Sequence, residues 1–232
     1  MTLDLTTVRF GVGYHRQPLT GTPTGDRDMC IMEAVAFMAG ERWTDRPACA
    51  SPIISAFIRC WQDTLLNADR DRLLPASVWV PRLMGSAADE KVEQRRVYLL
   101  WDWLTREYTP AWLSMVPGLA HHADTLRRLS PIVDEPSRVA VIETVRDVDL
   151  AVNWKRSYSW DVWTLLGYTG GKSARTALYT QATGGDPLLL LDMLRFIQTA
   201  PVSDLLNRVP THTLDEFSDR VLVLLDRLLL VK

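Results

Sequence analysis

From residue 29 onward, apolar positions recur every three to four residues, the period of a helix with one buried face. Val97, Leu100, Trp101 and Leu104 make such a stripe on a helix predicted from about Ala87 to Tyr108, and Phe217, Val221, Leu224, Leu225 and Leu228 make another. No alternation over four or more residues marks a strand, and no Asn-Gly pair marks a hairpin. Punctuation agrees with helices. A polar residue followed by proline suits a helix start, because the first turn leaves its N–H groups unpaired. Ser51-Pro52, Thr109-Pro110, Ser130-Pro131 and Asp186-Pro187 read this way, with Glu135-Pro136 a weaker version. Thr213-Leu214-Asp215-Glu216 reads as a capping box, and Gly40, Gly85 and Gly118 as helix stops.

Residues 1–28 do not share the pattern. Val8 to Val12 suits a short extended piece, and Gly13 to Asp28 is rich in Gly, Thr and Pro with no period. The expected fold is therefore all-α: a compact, bundle-like packing of roughly eight to ten helices, preceded by an irregular amino-terminal arm. Residues 29–232 form the helical domain, and halves at 29–130 and 131–232 are equally compatible with the pattern. An irregular stretch as long as the arm is usually either functional or flexible.

Composition narrows the class. At 232 residues, 47% hydrophobic and 23% charged, the chain can bury a core without disulfides or metals. Lys and Arg number 26 against 28 Asp and Glu, so there is no global attraction to nucleic acid or anionic membrane. Arg95-Arg96, Arg127-Arg128 and the group Lys155, Arg156, Lys172, Arg175 are the local basic candidates, each expected on a solvated helix face. Three cysteines without CxxC spacing, no secretory pattern at the amino terminus and no apolar run of membrane length point to reduced thiols and a cytoplasmic location. Cys30 and Cys60 are expected in the core. The nine tryptophans, grouped at Trp101, Trp103, Trp112 and at Trp154, Trp160, Trp163, suit either a core or an interface.

Motifs for chemistry are incomplete. Leu166 to Ser173 ends in Gly-Gly-Lys-Ser but has leucine where a P-loop requires its first glycine. His121 and His122 are adjacent, so they are expected on different sides of a helix. His15, Cys30 and Cys49 match no zinc spacing. No cofactor and no metal are expected. One cluster stands out. On a helical wheel Met29 to Ala39 is apolar all round except for Glu33, and a buried carboxylate requires a partner. On the next helix Ser55, Arg59, Gln62 and Asp63 share a face. We expect Glu33, Arg59 and Asp63 to form a polar cluster with Asp45 nearby, Arg59 pairing with Glu33. It reads either as an ion pair locking helix register or as a carboxylate-lined site.

The segment Cys30-Ile31-Met32-Glu33-Ala34-Val35-Ala36-Phe37-Met38-Ala39-Gly40-Glu41, with Thr44-Asp45-Arg46-Pro47, Cys49, Ser51-Pro52, Ala56-Phe57 and Arg59, resembles a pattern in a family of bacterial and phage proteins to which no reaction is assigned. Pro81-Arg82-Leu83-Met84-Gly85, Asp102-Trp103-Leu104 and Thr109 to Leu113 extend the likeness, as does Leu225-Asp226-Arg227-Leu228. It is dense from Cys30 to about Leu119 and sparse beyond. Where the family has Ser-Asp-His-Pro, this chain has Thr44-Asp45-Arg46-Pro47, so chemistry requiring that histidine is lost here. The resemblance implies a shared domain and no activity.

Without a complete catalytic motif, the expectation is a non-catalytic, cytoplasmic, phage-type interaction protein that binds a protein partner or itself. An enzyme or small-ligand binder built on Glu33, Asp45, Arg59 and Asp63 is the alternative. Nucleic-acid binding through Lys155 to Arg175 ranks third.

Overall fold

The computed structural model describes residues 3–18, 23–114, 118–154 and 211–232, and among them the protein is all-α with no strand. The chain forms two compact units, Met1–Glu93 with Glu216–Lys232, and Gln94–Asp215.

In the first unit the helices are α1 (Ile31–Met38), α2 (Pro52–Thr64), α3 (Asn67–Leu73) and α4 (Ala76–Leu83). α1 packs on α2 and α4. It is buried from Ile31 to Ala36, as its all-round apolar wheel requires. Ser51 caps α2 as expected, its hydroxyl accepting from the Ile54 amide at 3.2 Å and donating to Glu93 at 2.6 Å. Gly40 and Gly85 take positive φ just beyond α1 and α4. Residues 216–232, most of the last helix α9 (Thr211–Leu230), complete this unit, burying Val221, Leu224, Leu225 and Leu228. Asp226 pairs with Arg82 at 2.5 Å, and the Arg82 guanidinium lies over Trp79.

α5 (Glu90–Trp103) leads into a π-helical stretch, Leu104–Tyr108, and then α6 (Thr109–Ser114). Helix α6 does begin at Thr109-Pro110, but as a continuation of the π-helical turn, with Thr109 itself helical rather than a cap. Pro110 has no N–H to give to the preceding turn, and the Thr109 amide reaches back to the Leu104 carbonyl, the wider π spacing. α6 packs on α7 (Ala120–Arg127), and α7 on α8 (Glu135–Trp154). Ser130-Pro131 leads into a loop. Helix α8 begins at the weaker signal, Glu135-Pro136, with Asp134 accepting from the Ser137 amide at 2.8 Å. Gly118 lies just before α7, and α9 is already helical at Thr211, two residues ahead of the predicted capping box.

Trp79, Trp101 and Trp103 are core residues, as are Cys30 and Cys60, and the three cysteines are free thiols. Arg96 is buried, so the solvated face expected for Arg95-Arg96 holds for Arg95 alone. His121 and His122 do not diverge. Their rings lie 3.8 Å apart at the start of α7, with His121 exposed and His122 half-buried. The segment Leu166 to Ser173, Asp186-Pro187, Trp160, Trp163 and the basic group Lys155 to Arg175 lie outside the described residues.

Candidate functional site

The four residues of the expected cluster divide between two arrangements, and the amino-terminal arm assembles the one that holds Glu33 and Asp63. Val8 and Phe10 are buried, and a parallel bridge at Arg9 and Asp26 ties the two ends of the arm together. Arg9 donates to Gly25 at 2.7 Å, Arg27 donates to Arg9 at 2.8 Å, and Gly11 donates to Met29 at 2.8 Å. At Gly13 the backbone turns through φ +77°, a conformation that glycine adopts without strain. Beyond the turn Gly13 and His15 face inward, while Val12, Tyr14 and Arg16 face out.

Three helix side chains receive this segment. Glu33 is the third residue of α1 and closes a capping box, its Oε2 accepting from the Cys30 amide at 2.6 Å. That placement aims the carboxylate back toward the arm. Oε1 accepts from the His15 amide at 2.7 Å, and Oε2 lies 2.9 Å from His15 Nδ1. Gln62 on α2, also fully buried, accepts from the Ile31 amide at 2.7 Å and donates to the Gly11 carbonyl at 2.9 Å. Asp63 accepts from the Gly13 amide at 2.9 Å. The indole of Trp43 donates to the His15 carbonyl at 2.8 Å. Beneath the arm, buried Arg70 donates to the carbonyls of Phe10, Gln62 and Leu65 and to Asn67. Its positive charge sits at the carbonyl end of α2, where the helix dipole favours it. Burial lowers its pKa, with the nearby Arg27 charge acting in the same direction.

Arg59 does not pair with Glu33. Its Nε donates to the Ser55 carbonyl at 3.2 Å, and its guanidinium forms an ion pair with Asp45 on the loop between α1 and α2. Arg59 and Asp45 therefore close that loop, while Glu33 and Asp63 hold the arm. Sequence reasoning placed His15 only in an unmatched zinc pattern and passed over Trp43 and Arg70. The available signal was the spacing Gly11-x-Gly13-x-His15, small residues alternating where a backbone must approach closely. A Cβ added at Gly11 would collide with the Arg27 carbonyl and stand 2.5 Å from His15 Nε2.

The chemistry of this arrangement is mainly that of a clamp, with each carboxylate met by donors from the same chain. Cys30 lies against Glu33, and burial together with that carboxylate pushes its thiol well above the ordinary range, so it stays protonated. Cys49, which pairs with neither His15 nor Cys30, donates its amide to Glu41 at 2.8 Å. Among the described residues, no three His, Cys, Asp or Glu side chains gather as a metal would require. The chain matches no family model, no curated protein and no solved structure.

Proposed function

We propose that this protein acts by binding another protein, with the clamped amino-terminal arm as its recognition surface. One observation carries the reading: the backbone of Gly11, Gly13 and His15 is fastened by buried Gln62, half-buried Asp63 and buried Glu33, while Val12 and Tyr14 between them stand 50% and 61% exposed. A segment with no hydrogen-bonding period of its own is held rigid, and its apolar side chains are presented to solvent. A preformed loop spares a partner the entropy of ordering it, and tyrosine gives large contact area with few torsions. Among the described residues no helix is long and apolar enough to cross a membrane. The resemblance to bacterial and phage proteins suits a cytoplasmic, phage-type setting for this role. Affinity capture with crosslinking, repeated with Val12→Ser/Tyr14→Ala, tests it. The expected result is a partner, or a second copy of the chain, that is lost in the double variant while its melting temperature holds. A strictly monomeric wild type that captures nothing overturns the proposal.

A second reading, catalysis or small-ligand binding, draws on the His15–Glu33 pair. A carboxylate on Nδ1 fixes the tautomer and leaves Nε2 as the basic nitrogen, and the side chain keeps 19% of its surface exposed. Turnover of ester or phosphoester substrates that disappears in His15→Gln, with folding intact, is its signature. Absence of any His15-dependent turnover across such a panel removes it.

A further inference from the structure

Resting on the protein-binding reading, we propose that the arm surface takes an extended, acidic segment of the partner. The indole of Trp43 is bonded to the His15 carbonyl, so Arg16 and Arg42 each lie one residue from an end of that bond. Arg46 follows on the same loop. All three are exposed, and none has an ion-pair partner among the described residues. The acidic groups of the loop take their hydrogen bonds from other residues. Glu41 accepts from the Ala48 and Cys49 amides at 2.7 and 2.8 Å, and Asp45 is paired with Arg59. Three exposed guanidinium groups without an ion-pair partner among the described residues therefore belong to the two segments that also carry exposed Val12 and Tyr14 and half-buried Trp43.

Tyr, Trp and Arg are the side chains that dominate binding energy at protein interfaces. Guanidinium forks pair carboxylates with two parallel hydrogen bonds, which fixes orientation as well as charge. A second copy of the same face would bring arginine against arginine, which disfavours self-association here. A nucleic acid would also meet the arginines, but the chain as a whole carries a charge of −2 and lacks the basic surplus typical of such proteins. An acidic peptide with apolar residues in alternation satisfies both the arginines and the Val12–Tyr14 pair.

Fluorescence anisotropy tests this with three labelled probes: a peptide of alternating glutamate and valine, its glutamine counterpart, and a single-stranded oligonucleotide of matched charge. The glutamate peptide is expected to bind, with affinity falling as salt rises, and the glutamine peptide to bind at least about tenfold more weakly. Arg16→Ala/Arg42→Ala/Arg46→Ala is expected to lose a similar factor without a change in melting temperature, since all three side chains are exposed. No binding, equal binding of the two peptides, indifference to the arginine variant, or tighter binding of the oligonucleotide each overturns the acidic assignment. If the peptides fail while Tyr14→Ala still abolishes capture of a cellular partner, the protein-binding reading stands and only its acidic class falls.

Discussion

At the scale of single residues, Glu33 shows what a buried carboxylate does when no arginine or lysine answers it directly. Its two oxygens receive three N–H groups, two of them from the arm. Replacing it by glutamine turns one acceptor into a donor facing another donor, which leaves buried groups unsatisfied. Glu33→Gln is therefore expected to lower stability by about 1–3 kcal/mol in urea unfolding. His15→Ala removes one side-chain bond and keeps the backbone donors, so its loss is expected to be smaller. An unchanged midpoint for Glu33→Gln would remove the clamp from the account. The burial of Glu33 was legible in the sequence, because a lone charge on an apolar wheel admits few other placements. Its partner was not. The donors are mainly backbone amides, and His15 lies eighteen positions away in a segment without periodicity. Side-chain charge alone pointed to Arg59, whose attachment to the Ser55 carbonyl directs it to Asp45.

At the scale of elements, the helices were readable wherever a cap and an apolar stripe agreed, as at Ser51-Pro52. The proline signal at residues 130–131 marks a loop, and that at 109–110 marks helix resuming after a π turn rather than a capped start. Such a pair states only that an N–H is dispensable, and a π turn or a loop satisfies that as well as a helix start. The loop between α1 and α2 adds a pH dependence. Amide bonds from Ala48, then Cys49, hold the Glu41 carboxyl below its ordinary value of 4.5. A lowered folded-state pKa contributes stability that is fully present above the unfolded value and fades as pH falls through the folded one. Melting temperature measured downward from pH 6 should therefore decline below about pH 4.5, and Glu41→Gln should show a shallower decline across that interval. Identical slopes would show that the loop closure is not coupled to this group.

At the scale of the whole molecule, thiol access reports which parts open. Burial raises the pKa of Cys49, as burial and Glu33 raise that of Cys30, but only Cys49 is partly exposed, while Cys30 and Cys60 are in the core. Iodoacetamide under native conditions should label Cys49 slowly and leave the other two intact, with all three reacting in denaturant. Native labelling of Cys30 at the Cys49 rate would mean that the arm lifts off α1 frequently. Such a test separates a fastened arm from a loose one without knowledge of any partner.

The first unit is built from both sides of the chain, residues 1–93 joined by 216–232. A ribosome makes these pieces in order, so α1 to α4 emerge long before the helix that buries its Val221, Leu224, Leu225 and Leu228 with them. Until residues 94–215 have been synthesised, the nascent first unit lacks that apolar cover. Its completion is thus timed by translation.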